Sequence, residues 1–99
     1  MVQPKLFMPI NIGGMTLQHR VVMAPLARFR ADPQRIPTEI MVEYYAQRAS
    51  TPGTFIIAEA TSIAPHACSY PGTPEIFTDE QVAGWKRVST LTVMHGYDD

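Results

Sequence analysis

The architecture follows from the run Arg20-Val21-Val22-Met23-Ala24-Pro25-Leu26, which is apolar after its first residue. Such continuous hydrophobicity is typical of a strand that is covered on both faces. A second apolar and β-branched run, Thr54 to Ile63, begins immediately after the Pro52-Gly53 break. The 27 residues between the two runs, positions 27 to 53, are too many for a hairpin and suit a parallel crossover. The sequence therefore predicts two parallel strands.

The crossover contains a predicted helix that begins at Thr38. The Thr38 hydroxyl is a candidate N-cap, and Glu39 in the first turn is favoured by the helix dipole. Apolar and aromatic side chains then recur at spacings of three and four, and Ser50-Thr51-Pro52-Gly53 ends the pattern. Strand, helix and strand form a βαβ unit. The residues of the predicted apolar helix face are Ile40, Met41, Tyr44, Tyr45, Ala46 and Ala49.

Further elements are predicted on either side of this unit. Residues Ile10 to Arg20 form two short runs around Gly13-Gly14, a pair that can supply the positive φ of a tight hairpin turn. Downstream, Thr78 to Gln81 has the form of a capping box and predicts a helix from about Asp79. The predicted order is a β-hairpin followed by β-α-β-α. Because two parallel strands and one covering helix cannot close a hydrophobic core, this order indicates the opening of a larger α/β protein.

Composition bounds the class of protein. The chain has 99 residues, of which 45% are hydrophobic and 17% charged, as in a globular domain. A formal charge of -1 lacks the basic excess that favours nucleic acid. No apolar run approaches the roughly 20 residues of a membrane span, and no secretory signal is recognised. With a single cysteine, Cys68, the sequence predicts a cytoplasmic protein without an internal disulfide.

Candidate binding residues follow the two predicted strands. Ligands of α/β sheets and barrels gather at the carboxyl ends of parallel strands. Pro25, Leu26 and Ala27 follow the first strand, and Ala60 lies near the end of the second. The small side chains of Ala27 and Ala60 would let a flat ring system approach the backbone. On spacing alone, the alternative that these alanines only pack remains open.

Glu59, His66 and Cys68 are interpreted as structural residues rather than as catalytic or metal-binding ones. Glu59 interrupts an apolar strand, and we expect it to form a buried ion pair with an arginine such as Arg28 or Arg30 rather than to act as a general base. His66 and Cys68 lie two positions apart, but two ligands do not complete a metal site. The sequence therefore predicts no metal site.

Several sequence blocks, taken together, resemble the N-terminal quarter of the old yellow enzyme family. The resemblance extends over about residues 6 to 88, and the tail at 89–99 diverges from the family. The blocks occur in the family's order and spacing, which is more specific than any one motif. They are Leu6-Phe7-x-Pro9-Ile10, Asn11-Ile12-Gly13, Arg20-Val21-Val22-Met23-Ala24-Pro25-Leu26, Glu43-Tyr44-Tyr45-Ala46-Gln47-Arg48-Ala49, Pro52-Gly53-Thr54, Ile57-x-Glu59-Ala60-Thr61, Tyr70-Pro71-Gly72-x-Pro74 and Asp79-Glu80-Gln81-Val82-x-Gly84-Trp85-Lys86.

The resemblance implies that residues 1–99 are the N-terminal portion of a (β/α)8 TIM barrel that binds FMN, an incomplete barrel in itself. NAD(P)H would reduce the flavin, and the flavin would reduce a small-molecule acceptor such as an activated alkene. The resemblance assigns Pro25, Leu26, Ala27 and Ala60 to cofactor binding and Tyr70 to the substrate entrance. It assigns no catalytic residue to this chain.

The chain departs from the family at Ala27 and at the two residues before Tyr70. The family commonly has threonine where this chain has Ala27, and glycines where it has Cys68-Ser69 before Tyr70. An alternative to the enzymatic interpretation is a truncated, non-catalytic remnant that binds no flavin of its own. Either form is expected to expose apolar surface and so to self-associate when it is expressed alone.

Overall fold

A computed structural model describes residues 3–62, 64–67 and 70–97 of the chain. Within these residues, two helices pack beside two small sheets, and no barrel closes. The elements are β1 (Ile10–Ile12), β2 (Met15–Leu17), β3 (Val22–Met23), α1 (Glu39–Arg48), β4 (Phe55–Ile56) and α2 (Asp79–Tyr97), with short 3-10 turns at Lys5–Phe7 and Pro65–Ala67.

The predicted hairpin is confirmed. Strands β1 and β2 pair in antiparallel register, with Ile10 opposite Leu17 and Ile12 opposite Met15. Gly13 adopts the positive φ of 58° that the turn requires. The hairpin is tied to the start of β4, because the amide of Gln18 donates to the carbonyl of Gly53 at 3.2 Å.

The predicted parallel crossover is also confirmed, although its strands are shorter than expected. Val22 lies opposite Phe55 and Met23 opposite Ile56, and the amide of Ile57 extends the ladder to the carbonyl of Met23 at 3.1 Å. Each of these strands is two residues long and has one neighbour among the described residues. The prediction that the first strand is covered on both faces is wrong for this chain, since Val22 is exposed.

Helix α1 begins where it was predicted, but the prediction that the Thr38 hydroxyl caps it is wrong. The Thr38 hydroxyl makes no capping bond and instead donates to the carbonyl of Arg30 at 2.7 Å. A nearby carbonyl of the preceding loop therefore competes successfully for the threonine side chain. The helix buries Met41, Val42 and Tyr45, which form the core together with Val88 of α2.

Helix α2 confirms the predicted capping box. The Thr78 hydroxyl accepts a hydrogen bond from the amide of Gln81 at 3.1 Å, and the Gln81 side-chain oxygen accepts one from the amide of Thr78 at 3.0 Å. An exposed ion pair between Arg87 and Glu39, 2.7 Å long, links the two helices. Neither helix is long and apolar enough to cross a bilayer in the part of the chain that is described.

Candidate functional site

The carboxyl ends of β3 and β4 form an open surface, which we call the strand mouth and define as Pro25, Leu26, Ala27 and Ala60. Because β3 and β4 are parallel neighbours, the segments that follow them leave the sheet at the same edge. All four residues are exposed, and the Leu26 side chain is 44% accessible. The structure therefore does not bury the two alanines as packing residues.

The strand mouth presents backbone amides without hydrogen-bond partners in the described part of the chain. The backbone amides of Leu26, Ala27 and Ala60 make no hydrogen bond with any described residue. Donors of this kind suit the polar edge of a heteroaromatic ring. Ala27 and Ala60 carry only methyl groups beside these amides, and the Leu26 side chain adds an exposed apolar surface.

A second loop brings Tyr70 beside the segment that follows the strand mouth. The rings of Phe29 and Tyr70 meet edge to face with centroids 5.9 Å apart, and the amide of Ala31 donates to the carbonyl of Gly72 at 3.0 Å. Phe29 has a left-handed φ of 57°, which is uncommon for a bulky residue. A Cβ atom at Gly72 would lie 2.8 Å from the Phe29 carbonyl oxygen, so only glycine permits this contact.

A polar network behind Tyr70 was not predicted from the sequence. Glu75 is 1% exposed and pairs with Arg35 at 3.4 Å. The same guanidinium donates to the carbonyl of Tyr70 at 2.8 Å. Nothing in the local sequence indicates this pair, because Arg35 and Glu75 belong to different loops that only the fold brings together.

Glu59 occupies a buried position with a different partner from the one expected. The hydroxyl of Tyr45 donates to Glu59 Oε2 at 2.8 Å and accepts a bond from the Glu59 amide at 3.1 Å. Oε1 of Glu59 has no hydrogen-bond partner among the described residues. Burial raises the pKa of this carboxyl above its ordinary value, while the bond from Tyr45 and the charge of Arg28 partly oppose the shift.

The expectation of an ion pair at Glu59 is therefore wrong. Arg28 donates from Nε to the hydroxyl of Tyr44 at 3.2 Å instead of reaching the carboxylate. This contact leaves the guanidinium at the surface, where water solvates its charge, whereas burying it beside Glu59 would cost the solvation of two ions. A neutral phenol satisfies one carboxyl oxygen without that cost.

Comparisons with known proteins identify the family of this chain. The profile of the NADH:flavin oxidoreductase / NADH oxidase family matches residues 5–93. NADP-dependent oxidoreductase lnbE of Aspergillus flavus is 55% identical over 92 residues, which are 93% of this chain and 24% of that protein. Probable inactive reductase easA of Epichloe festucae var. lolii is 47% identical over 83 residues, 84% of this chain and 22% of that protein.

The fold gives the same result. The crystal structure of Old Yellow Enzyme from Pichia sp. AKU4542 superposes with a TM-score of 0.88 at 39% identity, over 93% of this chain and 24% of that one. The chain thus spans about a quarter of the length of these proteins. It belongs to the NADH:flavin oxidoreductase / NADH oxidase family. More narrowly, its elements are those of the N-terminal part of an old yellow enzyme barrel, as the sequence blocks predicted.

Proposed function

We propose that this chain supplies one side of an FMN site in an NAD(P)H-dependent oxidoreductase that reduces a small-molecule acceptor, such as an activated alkene. Residues 1–99 then form the N-terminal unit of the barrel. In this proposal, Pro25, Leu26, Ala27 and Ala60 contact the flavin and Tyr70 lies at the substrate entrance. The single cysteine favours a cytoplasmic setting.

The observation that carries the proposal is the set of unbonded amides at the strand mouth. Exposed amide donors next to methyl side chains, at the carboxyl edge of a parallel sheet, are where α/β proteins bind flat ligands. The family to which the chain belongs consists of flavin oxidoreductases, which supports the choice of FMN over other ring systems.

Bound FMN would supply the hydride chemistry, and this chain would supply binding and orientation. The amides of Leu26, Ala27 and Ala60 would fix the polar edge of the ring, and the Leu26 side chain would shield its apolar part from water. Ala27 has no hydroxyl to donate to the ring, unlike the threonine that is common in the family, so the backbone alone would make the polar contact here.

The test is titration of the 99-residue chain with FMN, followed by flavin fluorescence and visible absorbance. We expect saturable binding, and bleaching of the flavin when NADPH is added anaerobically. Ala60→Leu should weaken binding about tenfold or more, because its larger side chain would occupy the space of the ring. Ala83→Leu, at an exposed alanine of α2, is the matched control and should bind as the wild type does. Equal FMN affinity for the wild type and Ala60→Leu would contradict the assignment of the strand mouth.

A second candidate is a non-catalytic protein of the same family. The similarity to a protein named as a probable inactive reductase favours it. A chain of this kind would remain colourless and would bind no FMN in the same titration. Flavin binding without bleaching by NADPH would leave the site assignment in place and contradict the enzymatic part of the proposal.

A further inference from the structure

Arg35 and Glu75 lie in the two loops that border the strand mouth. Arg35 belongs to the loop between β3 and α1, and Glu75 to the loop between β4 and α2. The Glu75 side chain is almost completely buried, and the Arg35 side chain is 24% exposed. Buried charged groups are uncommon in proteins and require partners. This pair is therefore a specific interaction between the two loops.

The Arg35 guanidinium contacts the Tyr70 loop at several points. Its Nη1 atom donates to the carbonyl of Tyr70 at 2.8 Å, donates to the hydroxyl of Thr73, and pairs with Glu75 Oε1. The Thr73 hydroxyl in turn donates to the carbonyl of Tyr70 at 2.9 Å. One cation thus holds three residues of the 70–75 segment, including the backbone of Tyr70 itself.

Glu75 connects the same segment to the rest of the fold. Its Oε2 atom accepts a hydrogen bond from the amide of Ser62, beyond β4, at 2.9 Å. Its backbone amide donates to the carbonyl of Arg35 at 3.0 Å, and its carbonyl accepts from Nε1 of Trp85 in α2 at 3.1 Å. The 70–75 segment is therefore attached to both loops and to α2 through this residue.

We propose that Arg35 and Glu75 are positioning residues that hold the Tyr70 ring against Phe29 beside the strand mouth. The placement of Tyr70 at a substrate entrance rests on the proposed function, but the positioning itself does not. Without the arginine, the buried Glu75 carboxylate loses its contact with Arg35 and the Tyr70 carbonyl loses its charged donor. Both losses favour movement of the segment that carries the aromatic ring.

The first test is the nuclear Overhauser effect between the Phe29 and Tyr70 rings, measured on the 99-residue chain with and without Arg35→Ala. We expect a cross-peak in the wild type and its loss in the variant. The amides of Ala31 and Glu75 should exchange with deuterium about tenfold faster or more, while the helix amides of α1 keep their protection.

Two further variants separate positioning from general destabilisation. Arg35→Lys retains a cation, and because Nη1 alone makes the contacts described, it should restore part of the cross-peak. Arg87→Ala removes the exposed ion pair to Glu39 and should leave the cross-peak and the exchange rates unchanged. An intact cross-peak in Arg35→Ala with unchanged exchange, or no cross-peak in the wild type, would show that the pair does not position Tyr70.

Flavin binding gives an independent readout. In the FMN titration, Arg35→Ala should leave the FMN affinity within about twofold of the wild type, since Arg35 makes no hydrogen bond to a residue of the strand mouth. Failure of the proposed function would appear as a wild-type chain that binds no FMN yet shows the cross-peak. Failure of the positioning proposal would appear as a variant that keeps the cross-peak whether or not FMN binds.

Discussion

Glu59 forms a buried polar contact with Tyr45, a residue of the core. The Glu59 side chain is 5% exposed, and a phenol rather than a cation satisfies one of its oxygens. A carboxyl group in this setting favours its neutral form, because the charged form would lose hydration that a single hydroxyl does not replace. Its protonation is therefore linked to folding.

The sign of this linkage gives a prediction for pH. The pKa of Glu59 is raised above 4.5 in the folded chain, so the folded state holds this proton more tightly than the unfolded state does. The stabilisation is complete below pH 4.5 and is lost as the pH rises through the raised folded value. Glu59→Gln imitates the protonated carboxyl and should lack this loss.

Urea unfolding of both chains over this pH range measures the effect. The free energy of unfolding of the wild type should fall relative to that of Glu59→Gln as the pH rises. Glu43→Gln, an exposed position on α1, should change in parallel with the wild type. A constant difference between the wild type and Glu59→Gln would mean that Glu59 titrates alike in both states.

The sequence predicts the surroundings of single residues only in part. The burial of Glu59 could be predicted because its neighbours are apolar, but its partner could not, since Arg28 and Tyr45 both lie within reach of the strand end. The choice depends on solvation of the arginine in three dimensions. The Arg35 and Glu75 pair could not be predicted at all, because it joins two loops without periodicity.

At the scale of elements, two threonines that precede helices behave differently. Thr78 caps α2 reciprocally with Gln81, whereas the Thr38 hydroxyl bonds to a loop carbonyl. The capping box identifies the true cap because it specifies two partners three residues apart, and a threonine alone does not.

Replacement of Thr78 should weaken the start of α2. Thr78→Ala should lower the free energy of unfolding by about 1 kcal/mol, because the amide of Gln81 loses its acceptor at the start of α2. Thr78→Ser keeps the hydroxyl and should remain near the wild type. Chemical denaturation followed by far-ultraviolet circular dichroism compares the three chains, and equal midpoints for alanine and serine would refute the role of the cap.

The types and order of the elements could be predicted from periodicity and turn residues, but the lengths of the strands could not. The apolar runs around Val22 and Phe55 extend well past the two residues that pair in each strand. Strand length depends on neighbours as well as on side-chain pattern, because unpaired backbone groups do not continue a ladder.

At the scale of the whole molecule, the chain exposes more surface than a self-contained protein of its size. Its accessible surface is 6918 Å², against about 5,600 Å² expected for its mass. Its radius of gyration is 15.3 Å, against about 13 Å for a compact chain of this length. Apolar side chains account for part of the excess, among them Val21, Val22, Leu26, Ile57, Ile76 and Val82.

This surface predicts self-association of the isolated chain. Val82 lines an open groove of about 590 Å³ between α2 and the end of β4, which also includes Ala58 and Ile76. Sedimentation at increasing protein concentration should show a rising average mass. Val82→Lys should reduce it by placing a charge in the groove, whereas Ile40→Lys, at an exposed position outside the groove, should reduce it less. A monomer at all concentrations, with a cooperative melt, would contradict this prediction.

The contact between Gly72 and the backbone of Phe29 has an evolutionary consequence. Any side chain at position 72 would displace the Phe29 carbonyl, and the left-handed turn at Phe29 would have to relax with it. The two positions are therefore constrained to change in concert. Homologues that replace this glycine should also carry altered residues around position 29, so diversification of the entrance would proceed through paired rather than independent substitutions.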